Sequence, residues 1–186
     1  MSDAPPRLFF ALVPHEPAVR FLVSQQDQLR RCGWERYVRF SAPESLHLTL
    51  RFLGPVGETA LPDLINLVRE ATSSALSFEF ELGKATLFPR VSRAKTVATQ
   101  ISPNFRLKTL ARAIDKAATA VGIPEDGFPF RPHITLARLK TSASRPGLPK
   151  LGGRMIVPAA KVVLYASDLN QEGSTYRELA SFALGT

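Results

Sequence analysis

A repeated tetrapeptide constrains this chain more than any other feature of its sequence. Residues 47–50 read HLTL and residues 133–136 read HITL. In a β-strand, side chains i and i+2 share a face. The first copy is therefore expected to set His47, Thr49 and Arg51 on one face and Leu46, Leu48, Leu50 and Phe52 on the other. The second sets His133 and Thr135 against Ile134 and Leu136. Both apolar faces are continuous enough to be core, so the polar faces must look into water or a cleft. Only three histidines occur, His15, His47 and His133, and two of them open these strands. A duplicated core strand explains the repeated leucines but leaves the repeated His/Thr pairs unexplained.

The surrounding pattern supplies a scaffold. RLFFALV (7–13) reads as a strand, and a helix is expected from the turn at Pro17 to Gly33. YVRF (37–40) and LHLTLRFL (46–53) read as strands, the second closed by Gly54-Pro55. Leu61, Leu64, Ile65 and Val68 recur at helical spacing within 60–74. Two neighbouring strands follow at 78–88 and 95–101, then a long helix from Phe105 to near Gly122. HITLARL (133–139) is a strand, 141–153 a polar loop, and MIVPAAKVVLYAS and TYRELASFAL are strand-like. Each half thus offers a helix, an HhTL strand (h apolar) and further strands. We expect one α+β domain over residues 1–186, with two similar lobes.

Composition narrows the chemistry. The 186 residues are 45% hydrophobic and 22% charged, the balance of a soluble protein. No apolar run reaches the ~20 residues of a membrane helix, and MSDAPPRLFFALVP lacks the charged start of a signal peptide. A single cysteine, Cys32, excludes an internal disulfide framework and points to a reducing cytoplasm. The formal charge of +8 would attract phosphates, although the basic residues are scattered. There is no Cys cluster, HExxH, GxSxG or GxxxxGK[ST], so zinc, serine-nucleophile and nucleotide-triphosphate chemistries lack their motifs. Two imidazoles across a cleft instead suit acid–base catalysis near neutral pH, one accepting a proton while the other donates. Threonine hydroxyls and a nearby arginine can hold phosphate oxygens. No redox cofactor is needed.

The paired motifs resemble the HxTx signatures of the two-histidine (2H) phosphoesterase superfamily. RLFFAL, PESLHLTLRFLG, FPFRPHITLAR and VVLYASDL…YRELASFAL narrow the likeness to bacterial and archaeal RNA 2′,3′-cyclic phosphodiesterases, also called 2′-5′ RNA ligases. The resemblance spans roughly residues 7–184, with the motifs in family order. It implies a bilobal fold of antiparallel sheet and helices around a central groove, one HxTx strand from each lobe. It also implies metal-independent hydrolysis of RNA 2′,3′-cyclic phosphate ends, or of 2′,3′-cyclic nucleotides, to 2′-phosphomonoesters, with no cofactor and with ATP-independent 2′-5′ joining in reverse. His47 then becomes the proton donor and His133 the base. Thr49, Thr135 and Arg138 become phosphate ligands, and Phe9 lines the groove. Arg51 stands where relatives commonly carry lysine. Strict alternation puts Arg138 on the face opposite His133, so the strand must end, twist or bulge there. His15 reads as surface, and Phe128 and Phe130 as packing residues. Alternatives are an enzyme for another cyclic or 2′-5′-linked nucleotide, or an RNA-end binding module. A site built from one chain makes a monomer the simpler expectation.

Overall fold

The run RLFFAL forms strand β1 (Arg7–Leu12), buried at every position but the first. Such continuous burial needs a neighbour on each edge and cover on each face. The computed structural model describes residues 6–140, 146–170 and 173–185. In it β1 lies between β3 (Leu48–Pro55) and β8 (Lys161–Asn170). The other strands are β2 (Val38–Phe40), β4 (Phe78–Phe88), β5 (Thr96–Ile101), β6 (His133–Leu139), β7 (Met155–Ala159) and β9 (Gly173–Ala183). Together they form one 9-stranded sheet in the order β7-β4-β5-β6-β3-β1-β8-β9, with β2 paired to β6. Neighbouring strands run antiparallel throughout this path. The helices are α1 (Glu16–Arg31), α2 (Leu61–Ser73) and α3 (Phe105–Ala120). No helix among the described residues is long and apolar enough to cross a membrane.

The sheet has a seam. Strands β3 and β6 meet through one pair, Leu48 with Ile134, and the sheet divides there into two lobes. One lobe holds β3, β1, β8 and β9; the other holds β6, β5, β4, β7 and β2. Helix α3 precedes β6 in sequence yet packs on β3, whereas α1 precedes β3 yet packs on β6. The lobes are therefore not the two halves of the chain, as the sequence pattern suggested. Strand β1 takes one neighbour from each half, and the lobe of β6 takes β4 from the first half, paired to β5. Interleaving follows from the need to cover both edges of apolar strands.

Most elements fall where periodicity placed them. The 78–88 and 133–139 strands match to the residue, and the helices to within two or three residues at their ends. The 155–167 run is two strands, β7 and β8, split at Ala160. Pro158 is tolerated because β7 pairs only with β4 and is an edge. Residues 1–5 of the expected leaderless start and 141–145 of the expected loop lie outside the described residues.

The strand register shifts at several places, and two of these shifts decide the polar faces. In β3, Ala11 pairs with Thr49 and Phe10 with Arg51, so Leu50 is an extra residue. In β6, Ala98 pairs with Thr135 and Val97 with Ala137, so Leu136 is extra. Each bulge thus sits at the leucine that ends an HxTL motif, and beyond each one the faces exchange. The Leu136 bulge has its own support. Gln26 of α1, 1% exposed, donates from Nε2 to the carbonyls of Leu136 (2.9 Å) and Ser41 (2.8 Å). The Ser41 amide also donates to the Leu136 carbonyl at 2.9 Å, and its hydroxyl to Thr135 O at 2.9 Å.

Candidate active site

A groove of about 500 Å³ lies over the seam, lined by His47, Thr49, His133, Thr135 and Arg138 among others. Leu48 and Ile134, 1% and 0% exposed, point to the core at the seam pair. Extending that antiparallel register by one residue each way sets His47 across from Thr135 and Thr49 across from His133. The four polar side chains therefore share the groove face. The sequence expected these pairs, and the structure brings both into one place.

The two histidines are held alike. His47 Nδ1 lies 2.7 Å from Ser45 O, and His133 Nδ1 lies 2.7 Å from Arg131 O. A carbonyl can only accept, so each Nδ1 carries the hydrogen and donates it. That fixes one tautomer and leaves Nε2 as the reactive nitrogen of both rings. His47 packs against Phe9 at 4.9 Å and edge-on to Tyr176 at 5.1 Å between centroids. His133 stacks on Phe88 at 3.8 Å. Arg131 secures that ring: its guanidinium lies 5.0 Å over Phe88 while Nη2 donates to Pro89 O at 3.0 Å.

Burial disfavours the charged imidazolium. It pushes His47 down to about 4, helped by the positive charge of Arg138 and by His133, and opposed by the Ser45 carbonyl. His133 is lowered too, first by burial and then by Arg131 and Arg138, against the Arg131 carbonyl. Both rings are thus neutral near pH 7 in the free protein. An anion bound between them reverses this pressure and favours a proton on one of them. Tyr165, packed near Phe9 at 5.5 Å, is raised by burial and by Glu178, so it stays a neutral phenol.

One placement corrects the sequence reading, and a second refines it. Arg51 does not share the face of His47. The Leu50 bulge turns it to the core side, where it is 5% exposed. Its Nε sits 2.6 Å from Asp115 Oδ1 of α3, and Nη1 lies 3.6 Å from Asp126 Oδ2. The Nε–Asp115 contact is out of line for a hydrogen bond and acts through charge. Nη1 and Nη2 donate to Phe52 O and Pro124 O. Arg51 clamps α3 and its following loop to β3 and cannot reach a groove ligand. Phe9 does border the groove, but it is 2% exposed and is enclosed by His47, Phe52, Tyr165 and Tyr176. It braces His47 and has no free face for a base.

Arg138 goes the other way. The Leu136 bulge turns it onto the groove side, as one of the expected irregularities required. Counting from each histidine, Phe52 holds the place in β3 that Arg138 holds in β6 (47 + 5 and 133 + 5). One bulged position thus carries a ring and the other a cation. His15 is exposed at the N-terminal cap of α1, away from the groove. Phe130 packs on the core as expected, but Phe128 is 83% exposed and packs on nothing comparable. The sequence reading missed Phe52, Phe88, Tyr176, Arg39, Lys95 and Thr96, which also line the groove. Only strand pairing between distant segments reveals them. Phe88 ends an otherwise regular strand, and Phe52 was assigned to the core by alternation.

Comparison with known proteins agrees with this geometry. A family model described as the 2′-5′ RNA ligase superfamily matches residues 22–156. An RNA 2′,3′-cyclic phosphodiesterase of Methanothermobacter thermautotrophicus is 30% identical, the match covering 94% of this chain and 97% of that protein. A protein of the same name from Thermus thermophilus is 34% identical, covering 96% and 90%. A crystal structure of a Thermus thermophilus protein superposes with a TM-score of 0.81 at 31% identity, covering 96% of this chain and 97% of the other. E. coli LigT complexed with 3′-AMP gives 0.80 at 26% identity, covering 98% and 100%. With a paired-motif groove and relatives that align over nearly its whole length, the chain belongs to the 2′-5′ RNA ligase superfamily.

Proposed function

We propose that this protein is an RNA 2′,3′-cyclic phosphodiesterase that opens terminal cyclic phosphates to 2′-phosphomonoesters by two-histidine acid–base catalysis. The reading rests chiefly on one observation: two imidazoles with the same fixed tautomer face one groove, each across the seam from a threonine of the other motif. In-line attack on a cyclic phosphate needs a base for water, an acid for the departing oxygen and donors for the phosphoryl oxygens. His133 Nε2 accepts a proton from water as the new P–O bond forms. His47, charged once the anionic phosphate is bound, gives its proton to O3′ as the P–O3′ bond breaks. The assignment of these two roles follows the family resemblance; the chemistry itself is symmetric, and the reverse path joins a cyclic phosphate end to a hydroxyl through a 2′-5′ bond. Thr49, Thr135 and Arg138 hold the phosphate and offset the charge that develops on it. Among the described residues, the groove lining contains no carboxylate or thiol to complete a metal-ligand set with the histidines.

The test is hydrolysis of a 2′,3′-cyclic nucleotide in excess EDTA, with the product regiochemistry determined. Activity giving the 2′-phosphate, lost by at least about 10³-fold in both His47→Ala and His133→Ala, is the expected result. Dependence on added metal, or turnover surviving both substitutions, would sink the mechanism.

A further inference from the structure

Beyond the reacting phosphate, the groove contains a second cluster of which the mechanism uses only Arg138. Across β2, β6 and β5, Arg39 pairs with Arg138 and Arg138 pairs with Thr96, with Lys95 next in line. All four line the groove. Like charges on adjacent strands repel. Yet among the described residues no carboxylate lines this groove, and no side chain pairs with Arg39, Lys95 or Arg138. Thr96 adds an independent sign. It is 7% exposed, and its hydroxyl has no hydrogen-bond partner among the described residues. A buried unpartnered hydroxyl is costly unless a ligand completes it. The cluster lies three residues along β6 from Thr135, about 10 Å of strand at ~3.3 Å per residue before the bulge shortens it. It therefore adjoins the histidine pair without coinciding with it.

We infer that Arg39, Lys95 and Thr96 form a second phosphate subsite, which takes the neighbouring phosphodiester of the same RNA strand and makes the enzyme select oligonucleotide ends over mononucleotides. This inference rests on the phosphodiesterase reading above. Arg138, between the two clusters, is shared. Bidentate arginine and a lysine charge suit a phosphodiester anion, which the groove can recognise without reading a base.

The experiment compares three substrates with the same terminal nucleoside: the 2′,3′-cyclic mononucleotide with a 5′-hydroxyl, its 5′-phosphorylated form, and a dinucleotide. The wild type should favour both phosphate-bearing substrates about tenfold or more in kcat/KM, chiefly through KM. Arg39→Met and Lys95→Met should each bring that ratio close to one. Thr96→Val should lower it about threefold without lowering the melting temperature, because the lost hydroxyl had no partner. Equal efficiency on all three substrates overturns the subsite. So does a variant effect that falls proportionally on every substrate, or an advantage for the dinucleotide alone, which would indicate a base contact. A wild type inert on all three overturns the phosphodiesterase reading, and the subsite with it.

Discussion

Replacing His47 by glutamine should make the protein less sensitive to acid. Burial holds the native His47 down at about 4, whereas an unfolded histidine titrates near 6.5. With the folded value depressed, the contribution to stability is whole above about pH 6.5 and drains away as pH falls toward 4. Each pH unit in that window is worth about 1.4 kcal/mol. Between about pH 7.5 and pH 5 the unfolded ring gains its proton while the native ring stays mostly neutral, a loss of about 2 kcal/mol. Glutamine is close to histidine in size but cannot titrate. Urea unfolding of both proteins at the two pH values isolates the effect, since His133 titrates in each and cancels. The wild type should lose about 2 kcal/mol more than His47→Gln over this interval. A difference below about 0.5 kcal/mol would refute the claim that this site excludes the imidazolium.

Three further outcomes are expected. Arg51→Met should cost about 3 kcal/mol in denaturant unfolding by stranding Asp115 and two carbonyls, while KM in the folded enzyme changes little; a raised KM with unchanged stability would restore Arg51 to the groove. Gln26→Met should remove about 1–3 kcal/mol and also depress kcat/KM, because the Leu136 bulge that aims Arg138 loses a buried donor; stability loss with full activity would show that the bulge holds itself. Arg138→Ala should lower kcat/KM by about 10²-fold. Loss of its positive charge also relieves both histidines, so the acidic limb of the pH–rate profile should move to higher pH; a limb that moves to lower pH contradicts the assigned charge effect.

Periodicity read the elements well because each strand and helix buries a stripe it must advertise in sequence. The His/Thr pairs were legible for the same reason, since only their flanking leucines needed burial. Three things were not legible. The bulges at Leu50 and Leu136 leave no mark in composition, for leucine fits either face, and they decided the fates of Arg51 and Arg138 in opposite directions. Periodicity says nothing of Gln25 and Gln26, yet both are buried and spend their amides on Gly83, Ser41 and Leu136 carbonyls, with Thr99 donating back to Gln25. Register between distant segments placed Arg39, Thr96 and Tyr176 around the groove, and no local pattern encodes such register.

The interleaving of the lobes governs how the chain can be made. On the ribosome, β1 emerges near residue 7, but β8, which closes one of its edges, is not translated until residues 161–170. Until then an apolar strand of six residues waits with one edge open. The lobe that carries His47 is incomplete before that point, and the lobe that carries His133 lacks β7 until residue 159. Native structure must therefore arrive late and nearly all at once. Synthesis should accordingly yield a long-lived nascent chain that engages chaperones, and release of the last strands should bring protease resistance and activity together.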